Sequence, residues 1–338
     1  MKIIEINDKG VWENFIRDNS PQALFSSWNW GEVSKLTHSH HESDFVRWGL
    51  LDKKLTGICQ IQKISARRAA FLHLRHGPIM SQWTRESFKF FLEKVIDFAR
   101  KLKVSFIRMS PLIEDNQTNR NFLRTFGFSP SPIHRLDGEV CWVLDLNLTL
   151  DQLLLNMRKT TRYLIRAAGK NGVNIVKTTD EARLKNFLEL YSLTARRQKF
   201  VGHEGIREEF RQFVKDNQIM IFEGYHQKQL LSSALILFYN RQAIYHHSAS
   251  IPSKIPVNYL LQWEVIREAK KRGMSVYNFW GIAPEDRPRH PWKNLSLFKK
   301  GFGGSEVNYL HSQDLPINFF KYRINYLIES YRKISKGY

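Results

Sequence analysis

The chain has 338 residues, 42% hydrophobic and 13% aromatic, which is enough apolar material for real cores and excludes intrinsic disorder. Its 52 Lys and Arg against 32 Asp and Glu leave a net charge of +20. That excess calls for a polyanionic partner or surface (nucleic acid, a phosphorylated substrate or an anionic membrane face), with a solvated cationic surface as the plain alternative.

From the N-terminus, SSWNWGEVSKL (26–36) reads as a helix start carrying two tryptophans and Lys35. FVRWGLLD, LTGICQIQ and AAFLHLRH read as three short strands. Residues 86–103 read as a helix with Phe88, Phe91, Val95, Phe98 and Ala99 on one face. VSFIRMS (104–110) is a strand, a short helix lies around Arg120–Thr125, and EVCWVLDL is expected to close the half. The second half repeats that order. IMIFEGY, LLSSALILFY and AIYHHSAS make three strands, Tyr259–Arg272 a helix stopped by Gly273, and SVYNFWGI a strand. FLRTFGF and LFKKGFG, at 122–128 and 297–303, each end a basic apolar stretch with Gly-Phe. The repetition points to a duplicated α/β unit. A break is expected near Asn147–Leu148, before the capping-box pattern Thr149-x-x-Gln152. This divides the chain into 1–147, 148–310 and a C-terminal helical segment, 311–338, expected to fold back on the first domain.

Cys59 and Cys141 sit in apolar strands and read as buried free thiols of a reducing compartment. The first residues carry no secretory pattern, and the longest apolar run, 230–239, is too short to span a bilayer. A soluble cytoplasmic protein is therefore expected. There is no Walker loop, GxGxxG, HExxH, GxSxG or zinc-spaced cysteine pair. His38, His40 and His41 occupy a polar loop and read as solvated, so no metal site is expected.

The most informative positive feature is MRKTTRYLIRAAGKNG (157–172). Arg158, Arg162 and Arg166 follow at i, i+4 and i+8, with Lys159 and Lys170 beside them and no acid in the run. On a helix they make a stripe about 12 Å long, matched to successive phosphates or a diphosphate. A second basic stretch, RPRHPWKNLSLFKKGFGG (287–304), opens into a Gly-rich turn. Such a turn either aims N–H groups at an anion or is an ordinary helix end. In YHHSAS, strand alternation places Tyr245, His247 and Ala249 on one face and His246 and Ser248 on the other.

Taken in order, SSWNWGEV, HGPIM, the basic helix ending in KNGV, the TARR helix, YHHSAS, SVYNFWGI and LFKKGFGG resemble the Fem family of non-ribosomal peptidyltransferases. The resemblance runs from about Phe25 to the Tyr309 region and is of the compact type, without the long helical arm of some members. It implies an α/β (α+β) fold of two tandem GNAT-like domains, with mixed sheets flanked by helices. It further implies an aminoacyltransferase. An amine of a peptidoglycan precursor, lipid II or UDP-MurNAc-pentapeptide, would attack the ester of an aminoacyl-tRNA and form an amide of the interpeptide bridge. The tRNA would be a co-substrate, with no cofactor, and a lipid-linked acceptor would bring the protein to the inner membrane face.

Residue by residue, Phe298-Lys299 stands at the family's Phe-Lys pair, which gives Lys299 a part in handling the tetrahedral intermediate. His247 stands at a tyrosine of the compact relatives and would orient or deprotonate the amine, with Tyr245 on the same strand face. Trp30 matches the family's N-terminal tryptophan, and Lys35 lies near the lysine that holds the precursor phosphate. FVGHEGIREEF is longer than in the relatives and makes Arg207 the nearest match to the phosphate arginine, while Arg158, Lys159 and Arg162 supply the basic stripe. Ser110 stands where a compact relative has an aspartate, so no carboxylate base is expected there. Two other readings stay open on this fold. One is an acyl-CoA-dependent N-acyltransferase, for which Arg166-Ala-Ala-Gly169-Lys-Asn171 is the nearest approach to a pyrophosphate turn. The other is a non-catalytic RNA- or membrane-binding protein.

Overall fold

The computed structural model describes residues 1–38, 44–66, 68–135, 137–285 and 290–337. The chain opens with β1 (Lys2–Glu5), α1 (Lys9–Asn19) and α2 (Trp28–His38), followed by β2 (Phe45–Leu51), β3 (Leu55–Ser65), β4 (Ala70–Arg75) and β5 (Ile79–Met80). Helix α3 (Arg85–Lys101) crosses to β6 (Phe106–Ser110), and α4 (Gln117–Arg124) leads to β7 (Ser129–Pro130). Next come β8 (Val140–Asp145), α5 (Leu150–Asn156), α6 (Lys159–Lys170), β9 (Asn174–Thr178), α7 (Leu184–Gln198) and α8 (Ile206–Val214). The meander β10 (Ile219–His226), β11 (Gln229–Tyr239) and β12 (Gln242–Ser250) precedes α9 (Val257–Lys271), β13 (Val276–Gly281) and α10 (Lys293–Lys300). The last elements are β14 (Ser305–Asn308), β15 (Gln313–Pro316) and α11 (Phe319–Ser335).

Two mixed sheets result, ordered β1-β2-β3-β4-β6-β15-β7, with β5 on β3, and β14-β8-β13-β12-β11-β10-β9. In each, an antiparallel meander is followed by a helix and then a parallel strand: β4 with β6 in the first, β12 with β13 in the second. The helix buries its apolar face on the sheet. From α3, Phe88, Phe91, Leu92, Val95 and Ala99 join a core with Ile61, Leu72 and Ile107. From α9, Leu261, Val265, Ile266 and Ala269 join Phe222, Ile236 and Tyr277. Each fully buried large side chain of this kind contributes about 1.5–3 kcal/mol, so this repeated crossover is where each core is made. The duplicated unit expected from element order is thus present.

Two compact units follow. One takes the described residues within Met1–Val140, Asp286–Pro291 and Asn308–Tyr338, the other those within Cys141–Glu285 and Trp292–Val307. The expected break near Asn147 needs correction, because EVCWVLDL does not close the first sheet. β8 instead pairs antiparallel with β13, Val276 opposite Asp145 and Tyr277 opposite Leu144. Its counterpart is β15, from the far end of the chain, which pairs antiparallel with both β6 and β7. Once β15 occupies that edge of β6, β8 has no place in the first sheet. α11 belongs to the first unit, where Arg108 binds Asp314 (2.7 Å) and Glu329 (2.8 Å), and Tyr322 packs on Phe106.

Candidate active site

Strands β12 and β13 pair in parallel from Gln242–Val276 to Ile244–Asn278 and no further, although both run on, to Ser250 and Gly281. The carboxyl ends of two neighbouring parallel strands therefore part, the usual place for a ligand in an α/β sheet. Beyond the parting the backbone is irregular. Trp280 is left-handed at φ 66°, and its N–H donates to Asn278 Oδ1 at 2.7 Å.

Lys299 reaches this point from the last turn of α10. Ser296 fixes the helix there, accepting from the Ala283 N–H (2.7 Å) and donating to the Trp292 carbonyl (2.8 Å). Lys299 is 4% exposed, and its Nζ donates to the Gly281 carbonyl at 2.6 Å. Burial pushes its ammonium down to about 7. It is therefore a proton-exchanging amine at neutral pH rather than a fixed cation. Its neighbour Lys300 lies over Trp142 and pairs with Glu285 at 2.8 Å.

In the Gly-rich turn after Lys300, the Gly301 and Gly303 N–H groups are taken up by the helix end rather than offered to an anion. The Gly301 N–H bonds to Leu297 and Phe298 carbonyls, and the Gly303 N–H to that of Lys300, which ends the helix. A Cβ on Gly304, at φ +95°, would lie 2.2 Å from the Val143 carbonyl oxygen, so this glycine permits close backbone approach.

On β12, a bulge opposite Leu235–Ile236 breaks the expected alternation: His247 pairs with Leu235 and Tyr245 with Ile236, leaving His246 over. Both imidazoles then turn to the same carboxylate. His246 Nε2 lies 2.9 Å and His247 Nε2 3.0 Å from Glu209 Oε2, and His203 Nε2 lies 2.6 Å from Oε1. Burial raises the Glu209 carboxyl, but His247 and His246 outweigh it and hold it well below the usual range; burial pushes His246 down to about 4. His203 and Glu209 come from the long FVGHEGIREEF segment, where only Arg207 had been singled out. Arg207 itself is exposed in the first turn of α8.

The remaining candidates are dispersed. Arg158 is the N-cap of α6, with its N–H on the Gly301 carbonyl, and Lys159 is exposed beside it. Arg162 leaves the stripe, donating to the Leu154 (3.2 Å) and Leu155 (2.7 Å) carbonyls at the end of α5. Phe298 packs between Tyr259 and Phe302, and Tyr245 on the same core, so both act as core residues. Arg166 to Asn171 occupies the last turn and C-cap of α6, the carbonyl end, which repels a pyrophosphate.

In the first unit, Lys35 is exposed and paired with Glu32 at 3.0 Å. Trp30 is buried against Phe25, whose ring carries the Arg75 guanidinium at 3.5 Å. A carboxylate from elsewhere in the chain stands beside Ser110, though not as a base. Ser110 Oγ donates to Asp137 Oδ2 at 2.7 Å, and Arg75 binds Oδ1 at 2.8 Å. Burial raises Asp137, but Arg75 and His73 hold it well below the usual range, so it is an anchor of low basicity. The Asp137-Gly138 turn was its only trace in the sequence. The side chains of the His38–His40–His41 cluster lie outside the described residues.

This geometry has clear relatives. The sequence model of the FemAB family matches residues 138–215 and 206–330. The chain is 22% identical over 200 residues to "Lipid II:glycine glycyltransferase" of Staphylococcus aureus (strain MRSA252), a match covering 56% of this chain and 47% of that protein. It thus spans about half the length of that relative. The FemX crystal structure superposes with a TM-score of 0.82 at 16% identity, covering 96% of this chain and 99% of that one. A tandem GNAT protein from the clavulanic acid biosynthesis pathway follows at 0.57 and 11%, covering 94% and 98%. The fold is therefore the tandem GNAT fold, and with the family match spanning more than half of its length, the chain belongs to the FemAB family.

Proposed function

We propose that this chain is an aminoacyltransferase that moves an amino acid from aminoacyl-tRNA to an amine of a peptidoglycan precursor, forming an interpeptide-bridge amide. The observation that carries the reading is Lys299, a buried amine lowered to about 7 at the parting of two parallel strands. The donor ester is already activated, so positioning and proton handling are what the protein must add. The acceptor nitrogen attacks the ester carbon, the C–O bond to the ribose breaks, and the nitrogen gives up one proton as the ribose oxygen gains one. Lys299 in its ammonium form supports the oxyanion and protonates the leaving oxygen; as the free amine it takes the proton back. The family match and the lipid II-acting relative support this reaction class.

α11 supports a lipid-linked acceptor. Tyr322 and Asn325 are buried, whereas Phe320 (80% exposed), Ile324, Leu327, Tyr331 and Ile334 (75%) form an apolar stripe on the opposite side. At 100° per residue Lys321 and Arg332 flank one edge and Arg323 the other, the pattern of a helix lying in an anionic membrane interface. No helix among the described residues is long and apolar enough to cross a membrane.

The test is transfer from radiolabelled aminoacyl-tRNA to lipid-linked and soluble muramyl-pentapeptide acceptors, with RNase-treated and acyl-CoA-supplied controls. RNase-sensitive label on the precursor is expected. Turnover with acyl-CoA alone would replace the donor, and binding without turnover would leave a non-catalytic protein.

A further inference from the structure

The cluster around Glu209 lies outside the proton handling assigned to Lys299. Glu209 is buried, and among the described residues its ion-pair partners are all histidines: His203, His246 and His247. A buried carboxylate kept for its charge alone is ordinarily matched by Arg or Lys, as Asp314 is by Arg108. Imidazoles and a carboxylate with their ligand atoms turned to one point are instead the donor set of a first-row divalent cation. One ring nitrogen each from His203 and His247 and an oxygen of Glu209 all lie within 4.8 Å of one another. Bonds of about 2.0 Å in a tetrahedral site put ligand atoms about 3.3 Å apart. The observed 2.6 Å and 3.0 Å to Glu209 need only a small outward relaxation to admit an ion.

The geometry points to a zinc-class metal site with His203, Glu209 and His247 as ligands. His246, 2.9 Å from Glu209 Oε2, orients the carboxylate from outside the first ring of ligands. Three unusual local features build the site. The β12 bulge turns His246 and His247 to the same carboxylate. Left-handed Lys199 (φ 55°) and Gly205 (φ 88°) shape the loop that delivers His203. Tyr191 OH accepts the His203 backbone N–H at 3.2 Å and holds that loop in place. His203 is exposed, which leaves the fourth position open to water or to an oxygen donor of a ligand.

Full-length protein stripped with a chelator and titrated with zinc chloride by calorimetry should take up one equivalent. His203→Ala and His247→Ala should each weaken uptake by on the order of 100-fold or more. Because Glu209 is buried, Glu209→Gln, checked for fold by circular dichroism, should abolish uptake without unfolding. Cobalt(II) should give visible ligand-field bands that the same substitutions remove. The double substitution His40→Ala, His41→Ala should change nothing. Absent uptake, uptake that survives both His203→Ala and His247→Ala, or uptake lost with His40 and His41 would each overturn the assignment. All these readouts are of binding, so a failure leaves the transferase reading to its own assay.

Discussion

A lysine removed from water must be paired with a carboxylate or give up its proton, and among the described residues Lys299 Nζ donates to the Gly281 carbonyl and pairs with no carboxylate. Lys299→Ala should therefore lower transfer by on the order of 100-fold with the fold retained, as for loss of one oxyanion partner; unchanged turnover would remove the residue from the mechanism. The same burial shows in stability. The folded-state value, about 7, lies below the unfolded 10.5, so between them the unfolded chain holds a proton that the folded chain lacks. Stability thus rises with pH across that window, and below it the folded state carries the full cost of a buried ammonium. Lys299→Met should stabilise most at about pH 6 and progressively less by about pH 9 in urea unfolding. A pH-independent difference would mean that the amine is not titrating in the fold. Gly304→Ala should cost about 3 kcal/mol, because its Cβ would meet a backbone oxygen that cannot swing away.

At the scale of elements, α11 bears the most consequential surface. If its stripe meets lipid, the full chain should co-sediment with vesicles containing anionic phospholipid and be partly released by salt. Ile324→Asp with Leu327→Asp should abolish co-sedimentation while leaving turnover on a soluble acceptor intact. Retained binding would put the contact elsewhere. Helices and strands with strict periodicity were legible from the sequence: α3 and α9 through their apolar faces, and the α5 cap, where Thr149 and Gln152 bond each other's backbone as their spacing implies. The site was less so. Alternation assigns His246 and His247 to opposite faces, and one extra residue in β12 cancels that rule. The arginine stripe was sound as a spacing, but its middle member turns to the open carbonyls of α5. Short polar partners such as Asp137 and Glu209 have no periodicity to betray them.

In the whole molecule, sequence neighbours do not always share a sheet. β8 follows the first unit yet lies between β13 and β14, and β15 follows β14 yet lies between β6 and β7. Local pattern cannot see such an exchange, because EVCWVLDL is an equally good strand in either sheet and only the free edges decide. A cut at the apparent boundary tests it. A fragment of residues 1–147 carries β8 without its sheet and lacks β15, leaving the β6 edge open and Arg108 without Asp314 and Glu329. Stripping the partners from a buried charge typically costs 3–5 kcal/mol, and an open edge invites aggregation. The fragment should therefore be poorly folded alone, and so should 148–338, whose β13 has lost β8. Co-expressed, the two should co-purify as one folded species, since each supplies the strand the other lacks. Independent folding of 1–147, with native-like amide dispersion in an NMR spectrum, would show that β15 is dispensable to the first sheet.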